Sequence, residues 1–221
     1  MSVVKGNIGN SSFIGAYAVA TDLFSILGAR STESEEKFIR DTLETKVVRS
    51  TVDGSDLIGI YVVANSHGLL LPDMTRESEV EHMKQHLKEV NVEQIKTDLN
   101  ALRNNILAND KVAFVDPDYN AKEIKIIEDV LNVEVVRRRF GEFSSVGANN
   151  ILTNKGMVLN NDATEKDVEF AKGYVKNVAQ STANLGSSSI GLSVIANSKG
   201  MIVGDETTGF ELVRLTEGLD L

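Results

Sequence analysis

The chain has 221 residues, 42% apolar and 25% charged, the ordinary balance of a globular protein. With no cysteine and three histidines, it excludes disulfides, zinc–thiolate sites and thiol nucleophiles and leaves little material for acid–base chemistry. Its net charge of −9, from 32 acidic and 23 basic residues, is opposite to that of proteins that grip nucleic acid by its phosphates and suits a basic protein partner.

The first residues, Met1-Ser2-Val3-Val4-Lys5-Gly6, lack the basic and long apolar regions of a signal peptide. No apolar run approaches the ~20 residues of a membrane span, so the expected location is the cytoplasm. Next comes the start of a pattern that recurs to the end of the chain. Gly15, Gly59, Gly147 and Gly191 share one register of 44 residues, with Arg103 in the fifth place. Each follows an apolar residue (Ile14, Ile58, Leu102, Val146, Ile190), and six residues later stand Thr21, Asn65, Asn109, Thr153 and Asn197. Five units of 44 residues fill the chain, with hairpins starting near 14, 58, 102, 146 and 190. In the second unit the stretch 57–72 reads as an apolar strand, a polar turn at Asn65-Ser66-His67 and a second apolar strand.

After each hairpin a helix is expected. Thr32, Arg76, Asn120, Thr164 and Thr208 stand three residues before Glu35, Glu79, Glu123, Asp167 and Glu211, and four of the five pairs fit a capping box. Ile39, Met83, Ile127, Ala171 and Leu215 make an inward stripe with Leu43, Leu87, Leu131, Val175 and Leu219, four residues further on. A strand-forming run follows each of the first four helices, at 47–49, 92–95, 133–136 and 178–180. The fifth unit has no such run, but Val3-Val4-Lys5-Gly6 aligns with Val47-Val48-Arg49-Ser50, so the N-terminal strand is expected to complete that unit and close a ring. Pro72 and Pro117 fall at hairpin ends. The polar stretch 180–189 reads as a surface loop, and Arg137-Arg138-Arg139 as a solvated strand edge. No linker interrupts the array, which implies a single domain over 1–221: a closed five-fold pseudosymmetric α/β propeller.

Five repeats of strand–turn–strand–helix–strand resemble the pentein propeller. Finer phrases are similar to archaeal members of the translation initiation factor 6 family: Ala64-Asn65-Ser66-His67-Gly68-Leu69-Leu70-Leu71-Pro72, Leu131-Asn132-Val133-Glu134-Val135, Thr153-Asn154-Lys155-Gly156, Ala196-Asn197-Ser198-Lys199-Gly200 and Asp205-Glu206-Thr207-Thr208-Gly209-Phe210-Glu211-Leu212. The resemblance implies a ribosome anti-association factor. Such a factor is a monomer without a cofactor that binds the intersubunit face of the large ribosomal subunit, mainly through a ribosomal protein near the sarcin–ricin loop. It implies a binding face at the beginnings of the inner strands, matched here by Ile60, Arg103, Asn104, Asn149 and Leu192. Arg103 stands where relatives usually have glycine. Asn104-Asn105 and Asn149-Asn150 equally suit turns or a wet channel lining, and Ile60 and Leu192 equally suit core.

Pentein enzymes that process amidines resemble one another in a cysteine nucleophile, which this chain lacks, so an amidine hydrolase is the disfavoured alternative. A DNA-encircling clamp would need basic residues along the channel, and Ala16, Ile60, Asn104, Ala148 and Leu192 supply none. His67 aligns with Leu23, Lys111, Lys155 and Lys199 at hairpin tips and reads as a solvated turn residue. His82 and His86 have ligand spacing but no third ligand, so no metal is expected. Gly186 precedes no Gly-Lys-Ser/Thr phrase, which removes a P-loop.

Overall fold

The computed structural model describes residues 2–142 and 145–221. Its strands are β1 (Ser2–Gly6), β2 (Ala18–Ala20), β3 (Phe24–Gly28), β4 (Lys46–Ser50), β5 (Val63–Ala64), β6 (Gly68–Pro72), β7 (Asn91–Ile95), β8 (Ile106–Ala108), β9 (Val112–Val115), β10 (Glu134–Arg137), β11 (Ile151–Leu152), β12 (Gly156–Asn160), β13 (Asn177–Ser181), β14 (Val194–Ala196) and β15 (Gly200–Gly204). Five longer helices separate the middle and outer strands: α1 (Glu33–Leu43), α2 (Glu77–His86), α3 (Ala121–Leu131), α4 (Glu165–Lys172) and α5 (Gly209–Leu219).

The strands form five three-stranded sheets, β2-β3-β4, β5-β6-β7, β8-β9-β10, β11-β12-β13 and β14-β15-β1. In each, a short inner strand pairs antiparallel with the middle one, and the helix crosses over to a parallel outer strand. The outer strand of the fifth sheet is β1, paired as Val3↔Met201 through Gly6↔Gly204. The N-terminal strand therefore closes the ring, as its alignment with Val47-Val48 requires.

Closure is built into the packing as well as the pairing. Ile39 and Leu43 of α1 join one buried cluster with Ile195 and Ile202 of the fifth sheet, while Met83 of α2 packs with Phe24 and Ile26 of the first. Each helix thus covers the sheet of the preceding unit, so no unit buries its own apolar face alone. All ten predicted stripe residues are buried.

Every helix start is pinned by its acid. Glu79 accepts from the Arg76 N–H at 3.0 Å, so the one non-capping residue still leads a boxed helix. The same carboxylate takes the Thr51 hydroxyl, and it accepts from the N–H groups of Asp53 and Gly54 at 2.8 Å each. Glu211 repeats this with Thr182 and Gly186 (2.7 and 2.8 Å), and Glu35 takes Gly9 (2.7 Å). Burial works to raise the Glu79 and Glu211 pKa values, but these hydrogen bonds outweigh it and hold both below 4.5. The capping acids of α1, α2, α4 and α5 therefore tie their helices to the preceding turn, while among the described residues Glu123 of α3 bonds only within its own cap.

Three local expectations are corrected. The hairpin's first half begins with a helical turn, at Ile58–Tyr61, Leu102–Asn105, Ile190–Ser193 and, as a tighter turn, Ile14–Ala16. A four-residue apolar run does not separate strand from helix by periodicity, and the turn forms both with Gly59 and with Arg103 in the register place. The stretch 180–189 starts inside β13, and Ala183 and Asn184 are buried. Arg137 and Arg139 are exposed at or beside the edge strand β10, as expected, but the three side chains are engaged rather than free. Arg138 bonds Asp167 at 2.6 Å and lies over Phe170, Arg139 bonds Asp116 at 2.9 Å, and Arg137 bonds the Tyr119 carbonyl at 3.0 Å. All three guanidiniums join elements within or between units.

Candidate functional site

Because every inner strand runs from a helical turn to a hairpin tip, the ring has two axial rims. At the turn rim the register glycines touch in circuit. A Cβ added to Gly59 would overlap the Gly15 carbonyl oxygen, and Gly15, Gly147 and Gly191 meet those of Gly191, Arg103 and Gly147. Between units, Gly147 N–H donates to the Asn104 carbonyl and Gly191 N–H to that of Ala148, both at 2.9 Å. Glycine at four of the five places lets neighbouring turns approach to backbone contact, and Arg103 takes the same place in the third unit.

The five site residues inferred from sequence are all on this rim, but they do not share one environment. Ile60, Asn104 and Leu192 are half-buried on the helical turns, and the Asn104 Oδ1 is buried without a hydrogen-bond partner. Asn149 is 6% exposed, with its Nδ2 on the Ser188 carbonyl at 3.2 Å. Asn105 and Asn150 tie their own turns, donating to the Ala101 and Val146 carbonyls at 2.9 and 2.8 Å. Arg103 turns down into the lumen and donates Nη1 to the Gly147 carbonyl at 2.9 Å. The channel therefore carries a guanidinium, against the expectation of a lining without basic groups. A single cation inside a narrow lumen still does not make a DNA-encircling surface.

The tip rim is knitted by side chains. Asn65 is 2% exposed and uses its whole amide: Oδ1 accepts from His67 and Gly68 N–H (2.9 Å each), and Nδ2 donates to the carbonyls of Asn109 and Leu131 (3.0 and 2.8 Å). Asn197 does the same to Thr21 and Leu43 (3.0 and 2.9 Å), and Asn109 reaches Thr153 at 3.0 Å. A second polar ring, which sequence reasoning missed, follows one residue later. Asp110 holds Ser66 through its N–H and hydroxyl (2.7 and 2.8 Å), Asp22 holds Ser198 likewise, and Asn154 Nδ2 bridges both carboxylates at 2.6 and 2.8 Å. The signal was available in the same 44-residue register, polar at all five places: Asp22, Ser66, Asp110, Asn154 and Ser198.

Between the rims, Ala20, Ala64, Ala108, Leu152 and Ala196 form a waist dividing the lumen into two small chambers of about 20 and 30 Å3. Neither takes more than a few waters. Among the described residues no group of three or more His, Asp or Glu is gathered as a metal site would need. His67 is exposed at its tip, and His82 bonds the Arg49 carbonyl at 2.9 Å. What the molecule offers is a closed ring whose turn rim carries half-buried Ile60, Asn104 and Leu192.

Comparisons with known proteins agree with this architecture. Residues 3–218 match the model of the eIF-6 family. Translation initiation factor 6 of Picrophilus torridus is 34% identical over 98% of this chain and 99% of that one. The protein of the same name from Thermoplasma acidophilum is 37% identical, over 58% of this chain and 60% of that one. A solved DDAH from Pseudomonas aeruginosa, a mutant complexed with citrulline, is 12% identical with a TM-score of 0.50, over 76% of this chain and 68% of that one. That likeness speaks to the pentein fold alone.

Proposed function

This chain belongs to the eIF-6 family, and from that premise we propose that it is a ribosome anti-association factor, which binds the intersubunit face of the large ribosomal subunit and blocks joining of the small one. The observation that carries the proposal is the family match across residues 3–218, through all five units. The geometry supports a steric mechanism. The turn rim is preformed by backbone contacts between glycines, so little conformational entropy is lost when a partner seats on it. Ile60 and Leu192 supply apolar contact and Asn104 an amide, an arrangement suited to a ribosomal protein, and the net charge of −9 favours a basic one. The sarcin–ricin loop of the large rRNA is then a neighbour of the contact. The protein acts as a cytoplasmic monomer, one domain over 1–221, with no turnover and no cofactor.

Sedimentation of purified archaeal ribosomal subunits, with and without the protein, tests the proposal. The expected result is co-migration with the large subunit and loss of joined ribosomes, with Ile60→Glu and Leu192→Glu releasing the protein to the top of the gradient. If the unmutated protein stays at the top and joining proceeds, the proposal fails, and amidine substrates become the next screen.

A further inference from the structure

The Arg103 side chain has no counter-charge. Among the described residues no carboxylate pairs with it, and its one side-chain hydrogen bond is to the Gly147 carbonyl at 2.9 Å. A guanidinium carries five N–H donors, so most of its capacity faces the upper chamber. The nearest axial acids are already engaged at the far rim, where Asp22 and Asp110 accept from Ser66, Ser198 and Asn154. Burial lowers the Arg103 pKa to about 10, so the group stays cationic at neutral pH.

The chamber around it is otherwise aliphatic, walled by Ala18, Val19, Ile151, Val194 and Ile195 above the alanine waist. Its backbone adds N–H donors and, in equal number, carbonyl acceptors. In the first unit Thr21 N–H pairs with the Phe24 carbonyl and Gly28 N–H with that of Tyr17, so alternation turns the N–H groups of Ala18 and Ala20 away from their own sheet. Asn65, Asn109, Thr153 and Asn197 make the same tip pairing, which frees Ala64, Ala108, Leu152 and Ala196 likewise. A half-buried cation with no carboxylate partner beside such groups, in a space of about 30 Å3, suits a small negative partner.

We propose that the upper chamber is a binding site for one small monovalent anion of halide size, with the Arg103 guanidinium as its principal ligand and inner-strand N–H groups completing it. This site is independent of the ribosomal reading, since it lies inside the ring. Bound anion pairs with the Arg103 guanidinium and locks the third unit, the one without a register glycine, to the fourth.

Crystals of the protein grown in sodium bromide test it directly by anomalous scattering. The expected result is a bromide peak within hydrogen-bond reach of the Arg103 guanidinium, absent in Arg103→Gly. In solution, bromide replaces gluconate at constant ionic strength, gluconate being too large for the chamber. The wild-type Tm then rises by about 3–6 °C once bromide exceeds its Kd about tenfold, while Arg103→Gly and Arg103→Met stay flat. A chamber with no anomalous peak, or the same bromide response in both variants, overturns the proposal.

Discussion

Asn65 offers a graded test of how the tips hold the ring. Its amide makes four hydrogen bonds in a site 2% exposed, two that shape its own turn and two that cross to the next unit. Asn65→Ala strands two N–H groups and two carbonyls away from water. At about 1 kcal/mol each, the loss is about 4 kcal/mol. For a chain of this length that corresponds to a fall in Tm of roughly 8–16 °C. Asn65→Thr is the informative partner, because Thr153 occupies the equivalent place and still accepts from Lys155 and Gly156 N–H, at 3.2 and 3.3 Å. Threonine keeps the turn bonds and loses only the donors to Asn109 and Leu131, so its cost is about half that of alanine. Urea denaturation followed by far-UV circular dichroism measures both, since the chain has no tryptophan. Equal losses for the two variants, or a loss below about 1 kcal/mol for alanine, would refute the cross-unit role.

Three other outcomes follow from the same framework. Gly59→Ala drives a methyl into the Gly15 carbonyl, and 2.7 Å from that of Ala18, at a contact the closed ring cannot relax. Its expected cost is about 1–3 kcal/mol, checked by thermal melting, and an unchanged Tm would mean the rim is loose. Removal of residues 1–9 uncovers the edge of β15, and it deletes fully buried Ile8 and the Gly9–Glu35 bond. The shortened protein should melt much lower and form oligomers on sizing columns; an unchanged melting curve argues against closure. Met1 itself lies outside the described residues. The third concerns acid. Glu79 and Glu211 have pKa values held below 4.5 in the folded state, so their contribution is complete above that value and fades as pH falls beneath it. Melting curves from neutral pH downward should stay level and then decline below about pH 4.5. Glu79→Gln should show a shallower decline, and parallel curves would count against the capping acids.

The relation between chain and fold differs from element to element. The 44-residue register alone determined the unit count, the five amphipathic helices, the acid three residues into each, and the closing strand at Val3-Val4. Each of these rests on local periodicity or self-alignment, which a sequence carries in full. Gly59 was legible as a repeated glycine, but its reason was not, since the carbonyl it approaches belongs to Gly15 in another unit. The same holds for the site residues. Ile60, Arg103 and Asn149 occupy nearly equivalent places in sequence, yet one is half-buried on the rim, one lines the lumen and one is buried. Only assembly of the ring decides among these, because a side chain's surroundings there come from residues one or more repeats away. The three arginines 137–139 show the limit most plainly. As a run they read as solvated charge, while their partners Asp167, Asp116 and the Tyr119 carbonyl are brought to them by the fold. Local pattern sets what each segment becomes, and tertiary contact sets what each polar side chain is for.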